Sequence, residues 1–272
     1  MHRAKGAIVF PASGPAFCID GGIAAIRTPT WAIGISTGAL RAMCMYFGRP
    51  ERELMEAYCA MTWRPWSTPA SLTRMMRANV RLTHLHRDVR AIDAASPVLP
   101  AVIVTHVRFG LPPALALLLW ALARAVDVDL TYRLAELHVY VPPWCSTAHF
   151  PLRFARSVRV RFKALTSKNL DDVLYASTRI PLISHGSPLG CDGGFMFYYL
   201  NGSPRTRSNR VTVLSNTSQP TRSLLDDRPI SKNKNVTVRL SPCSNSILDW
   251  FNPWYALFPA ERRKQWLTGS HA

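Results

Sequence analysis

Gly34-Ile35-Ser36-Thr37-Gly38 sets a serine between two glycines in the pattern G-x-S-x-G. A serine hydroxyl becomes a nucleophile when a sharp strand-to-helix turn holds its oxygen clear and a base takes its proton. Gly34 and Gly38 permit that turn and the close backbone approach it needs. The flanks agree, since the apolar run TWAIGI at about 30–35 precedes the pentapeptide and a helical pattern, ALRAMCMYF, follows it. The plain alternative is an ordinary glycine-rich turn between a strand and a helix. A base must also be found. The order serine, then acid, then histidine used by α/β-hydrolases fails here, because the only histidine after Asp192 is His271. What stays open is a serine–aspartate dyad, in which the carboxylate takes the proton directly.

Two aspartates stand in a D-G-G sequence: Asp20-Gly21-Gly22, sixteen residues before Ser36, and Asp192-Gly193-Gly194. Asp20 falls in a helical pattern, where its side chain would cap the helix or face solvent. The GISTGAL turn, the segment LDDVLYAST running into RIPLISHG, and the later C-D-G-G together resemble patatin-like acyl hydrolases. The resemblance covers residues 6–47 and about 155–200. In that family the aspartate follows the serine far along the chain, which implies Ser36 as nucleophile and Asp192, with Gly193 and Gly194, as its partner. It also implies an oxyanion hole from a loop after the first strand, usually G-G-G-x-[RK]-G. Here that stretch is Pro11-Ala12-Ser13-Gly14-Pro15-Ala16. Pro15 has no amide hydrogen to give, so the expected donors are the Ser13 and Gly14 amides, joined by that of Thr37. The implied substrates are lipid esters, phospholipids or lysophospholipids. The implied chemistry uses no metal and no cofactor, and calcium dependence does not follow from it.

These residues need elements to hold them. Residues 6–10 read as a buried strand, 16–27 as a helix, 30–35 as a second strand, and the stretch up to about Phe47 as a helix. Strands separated by helical segments of this length predict βαβ units and a parallel sheet. Pro50 opens another helical pattern, ERELMEAYCAM, while the basic stretch 70–88 reads as helix or loop. A strand is expected at 101–108 and a helix at 111–123, and residues 126–141 fit helix or strand equally. From 155 the segment RSVRVRF alternates with period two, as a half-exposed strand does. Ser167 is placed to cap a helix running to about Ser177, whose early aspartates suit its N-terminus. Residues 179–194 read as a Gly/Pro-rich loop, and 210–214 and 235–240 as further strands. No repeat or clean linker divides residues 1–272, so one domain is expected. The resemblance implies that it is an α/β fold, a three-layer α/β/α sandwich around a mainly parallel sheet.

The 272 residues are 48% hydrophobic and 10% aromatic, which excludes a globally disordered chain. Lys and Arg number 33 against 16 Asp and Glu, a formal charge of +17. Only Lys5, Lys163, Lys168, Lys232, Lys234 and Lys264 are lysines, so the excess is mostly arginine. Such a surplus attracts polyanions. The segment at about 245–272, containing DWFNPWYALFPAERRKQW, mixes aromatics with cations in the way a membrane interface favours. Packing of those aromatics on a core explains it equally well. An anionic membrane surface is the expected partner beside the lipid substrate. Nucleic acid is not expected, because no nucleic-acid module is recognisable, and no oligomeric state is read from the sequence.

The longest apolar run, Leu111 to Ala123, is thirteen residues, short of the roughly 20 that span a bilayer. The first apolar run ends at Pro11, too early for a signal-peptide core. These readings predict a cytoplasmic protein, peripheral on membranes. The six cysteines form no C-x-x-C pair, which argues against structural zinc. His84 and His86 stand two apart without an acidic or cysteine third ligand nearby, so no metal is expected there. His185, seven residues before Asp192, fits the rim of a site or a plain loop. The rival to the hydrolase is a non-catalytic membrane- or polyanion-binding protein on the same fold.

Overall fold

Segments of five to nine residues, the central ones unbroken apolar runs, become the long strands of one sheet. In the computed structural model the described residues are 6–10, 29–48, 68–84, 92, 96–107, 115, 135–154, 158–179, 184–194, 205–206, 210–215 and 236–240. Strands β1 (Gly6–Phe10), β2 (Trp31–Ile35), β3 (Leu99–Val107), β4 (Ala135–Val141), β6 (Val160–Ala164), β9 (Arg210–Ser215) and β10 (Val236–Leu240) run in the order β10-β9-β1-β2-β3-β4-β6. The two-residue strand β7 (Cys191–Asp192) pairs with β3, and β5 (Leu152–Arg153) forms a separate ribbon with β8 (Arg205–Thr206). Every neighbouring pair in the order is parallel except β3 with β4, and β7 is antiparallel to β3. The result is an α/β fold on a mainly parallel mixed sheet.

Strand β2 (WAIGI) is buried along its whole length, as a central parallel strand covered on both faces must be. Alternate residues feed two cores. On one face Val102, Val104 and Tyr140 pack with helix α1 (Thr37–Tyr46) and helix α3 (Leu170–Thr178). On the other, Ile33, Ile35, Ile103, Leu137 and Val139 pack with Phe150, Leu152 and Val158. Helix α2 (Pro69–Leu82) settles the basic stretch 70–88 as helix over most of its length. Thr68 caps it by accepting from the Ser71 N–H, and Pro69 occupies the first turn, where a missing N–H costs nothing. Its Arg77 lies 4.4 Å from the centre of the Tyr175 ring and 3.4 Å from Asp172.

One open reading resolves, and two expectations need correction. Residues 135–141 of the ambiguous stretch 126–141 are a fully buried strand. The strand expected from 155 begins at Val160, where its pairing with Leu137 of β4 starts. Asn169, not Ser167, is the residue preceding α3, and its side chain binds backward, accepting from Thr166 N–H and donating to the Ala164 carbonyl. The helices expected at 16–27, after Pro50 and, apart from Leu115, at 111–123 lie outside the described residues, as does the segment 245–272. No described helix is long and apolar enough to cross a membrane.

Candidate active site

Strand β2 ends where the chemistry begins. Its last rung pairs Ile35 with Ile103, and the next residue of β3, Val104, is paired with Asp192 of β7. The short antiparallel strand β7 therefore takes over the edge of β3 that β2 vacates, and it sets Asp192 one rung beyond the end of β2. Ser36 turns there into α1 with φ 56° and ψ −131°, the only non-glycine residue at positive φ among those described. A β-carbon forced into that region is strained, and surrounding structure must hold it. Gly34 makes the turn possible. A β-carbon at that position would stand 2.3 Å from the Ala39 α-carbon, which no side chain can occupy. Gly38, buried in the first turn of α1, lies in the same close approach.

The Ser36 hydroxyl donates to Asp192 Oδ2 at 2.5 Å, across 156 residues of sequence. The other carboxylate oxygen accepts the Gly194 N–H at 2.7 Å. Both residues are buried, Ser36 at 3% exposure and Asp192 at 9%. Burial pushes the Asp192 carboxyl from its ordinary 3.8 up to about 7, against the lowering pull of the Ser36 and Gly194 hydrogen bonds. A base whose pKa lies near neutrality is well matched to accepting and returning a proton. Gly193 lets β7 approach, since a β-carbon on it would meet the Ile103 carbonyl oxygen at 2.2 Å.

Two residues that the sequence reading missed hold this pair. Ser177, on α3, accepts the Ser36 N–H at 3.1 Å and donates to the Ile103 carbonyl at 2.8 Å. It ties the strained turn to the neighbouring strand. Arg179 at the end of α3 is buried, and its guanidinium donates to the carbonyls of His185 and Gly190 while its own carbonyl accepts the Asp192 N–H. That clamp folds the loop 184–190 back so that β7 lands on β3. His185 is a loop residue whose backbone carbonyl also accepts from the Tyr175 hydroxyl. His84 is spent on Asp171 at 2.6 Å, and His86 lies outside the described residues.

Thr37 opens α1, and its amide is among the first four that a helix leaves without an internal acceptor. Its hydroxyl oxygen is buried and makes no hydrogen bond among the described residues. The helix N-terminus at this point favours negative charge. Ser13 and Gly14, expected as further oxyanion donors, lie outside the described residues, and so does Asp20. The structure thus brings together Ser36, Thr37, Asp192, Gly193 and Gly194, framed by Gly34 and Gly38. No protein-family model matches the chain. Among curated proteins there is likewise no match.

Proposed function

We propose that this protein is a serine acyl hydrolase of lipid esters, phospholipid or lysophospholipid, working through a Ser36–Asp192 dyad on a patatin-like three-layer α/β/α fold. The observation that carries the reading is the 2.5 Å hydrogen bond from a serine on a strained strand-to-helix turn to a carboxylate raised to about 7. A buried serine hydroxyl can be satisfied without strain. The combination of strain, an adjacent base and a helix N-terminus instead fits a nucleophile.

In the first half-reaction Ser36 Oγ attacks the ester carbonyl carbon while Asp192 takes its proton. Negative charge gathers on the former carbonyl oxygen, for which the Thr37 amide at the start of α1 is a donor and the Ser13 and Gly14 amides are the further donors expected from the sequence. Collapse breaks the ester C–O bond, Asp192 returns the proton to the departing alcohol, and an acyl-serine remains. In the second half Asp192 takes a proton from water, the hydroxide attacks the acyl carbon, and the fatty acid leaves as Ser36 regains its proton. The dyad performs both halves without a metal or cofactor. The charge of +17 supports an anionic membrane surface as the place where substrate is met, with the protein cytoplasmic and peripheral.

Burial of Ser36 to 3% exposure favours a second reading, a non-catalytic membrane- or polyanion-binding protein on the same fold. A lipid-release assay on wild type and Ser36→Ala separates the two. Fatty acid released by wild type and not by the variant supports the hydrolase. Absence of release from every phospholipid and lysophospholipid tried, with vesicle binding intact, supports the binding protein.

A further inference from the structure

A second cluster lies on the face of the sheet that carries α1 and α3, further along β3 than Asp192. His106 of β3 stands directly across from Glu136 of β4, and His138 is two residues along β4 on the same face. Cross-strand partners have β-carbons about 5 Å apart, so the register alone brings an imidazole and a carboxylate together, with a second imidazole on the diagonal. One ligand atom from each of the three lies within 4.8 Å of the other two. His138 Nε2 and Glu136 Oε1 are 2.7 Å apart, and the two histidine rings stack with centroids 4.5 Å apart.

Burial makes this arrangement expensive as it stands. Glu136 is 4% exposed and His138 3%. Nδ1 of His138 and Nδ1 of His106 are both buried with no hydrogen-bond partner among the described residues. Buried polar nitrogens are nearly always satisfied, and two orphans in one cluster call for a missing partner. Arg161 on the neighbouring strand donates from Nε to Glu136 Oε2 at 3.1 Å, which steadies the carboxylate and leaves Oε1 turned to the histidines. Outer partners of this kind orient metal-binding carboxylates.

We propose that His106, Glu136 and His138 form a binding site for a divalent transition metal ion of the zinc type. Two imidazoles and one carboxylate are the donors such ions prefer, and three protein ligands leave a position for water or another ligand. Ligand atoms around one ion sit closer together than 4.8 Å, and rotation of the half-exposed His106 ring supplies the closure. This site is separate from the Ser36–Asp192 pair and does not depend on how that pair is read.

The test uses the full chain, stripped with a chelator and titrated with Zn²⁺ under equilibrium dialysis, with Co²⁺ as a spectroscopic probe. Wild type is expected to hold one equivalent and to give the ligand-field absorption of a four- or five-coordinate Co²⁺ site. His106→Gln and Glu136→Gln should each weaken binding at least tenfold, whereas His84→Gln should leave it unchanged. His106 is half-exposed, so its substitution spares the core, and circular dichroism checks that each variant is folded. If Glu136→Gln fails to fold, His106→Gln and the Co²⁺ spectrum decide. Binding below one equivalent at micromolar Zn²⁺ overturns the proposal. So does His106→Gln with wild-type affinity, or His84→Gln with affinity lost as in His106→Gln.

Discussion

Asp192→Asn should stabilise this protein in mildly alkaline solution while removing its activity. The folded state holds the Asp192 proton up to about pH 7, whereas an unfolded chain releases it near 3.8. Folding therefore takes up a proton between those values, and stability falls as the pH rises through them. At about 1.4 kcal/mol per pH unit, the full cost above pH 7 is about 4 kcal/mol. That is a large share of the roughly 5–15 kcal/mol that holds a domain together. Asparagine has no charge to bury. Its Oδ1 can accept the Gly194 N–H, and its Nδ2 can donate to Ser36 Oγ, so both native contacts survive with one polarity reversed. Urea unfolding of wild type and variant at pH 4.5 and pH 8.5 measures the difference, and other titrating groups cancel between the two proteins. The variant should be ahead by about 1 kcal/mol at pH 4.5 and by about 4 kcal/mol at pH 8.5. A variant equal to or weaker than wild type at pH 8.5, or a difference that does not change with pH, would refute the reasoning.

Three further outcomes follow from the same geometry. Ser36→Ala and Asp192→Asn should each abolish ester hydrolysis with folding intact, and the double variant should be no worse than either single one, as for residues acting as a unit; steady-state kinetics on a short soluble ester checks this. Ser177→Ala leaves the Ser36 N–H and the Ile103 carbonyl unpaired in the core, at about 1–3 kcal/mol each, and should lower kcat more than it alters KM because the strained turn loses its tie to β3; unfolding curves and kinetics measured together read both effects. Binding to anionic vesicles in a sedimentation assay should be strong at low salt and weak at high salt, since exposed charges are screened over about 8 Å at physiological ionic strength; equal binding to zwitterionic vesicles at low salt would contradict it.

The core of the sheet was legible because its central strands sit between covered faces. GAIVF and WAIGI are unbroken apolar runs of strand length, and the glycines around Ser36 mark the turn into α1. Strand β4 was not legible. In Ala135–Val141 the polar residues Glu136 and His138 alternate with apolar ones, a pattern that normally places charge in solvent, yet every residue is buried. The signal that could have found the second cluster is that same Glu-x-His spacing, which puts both side chains on one face once the segment is known to be a strand. Asp192 was reached through the family resemblance alone. Strand β7 is two residues long, too short for any periodicity to show. Ser177 and Arg179 were missed because their partners are remote or are backbone groups, and nothing local distinguishes them from any serine or arginine at a helix end.

The central claim is that Asp192 activates Ser36, and covalent labelling by a fluorophosphonate probe tests it most directly. The probe reacts with an activated serine and requires neither a lipid substrate nor a membrane. The account predicts one adduct per chain, mapped to Ser36 by peptide mass, absent in Ser36→Ala and strongly slowed in Asp192→Asn. Because only the ionised carboxylate accepts the proton, the labelling rate should rise with pH through a midpoint near 7. No adduct on the folded protein, an adduct on another residue, or undiminished labelling of Asp192→Asn would contradict it.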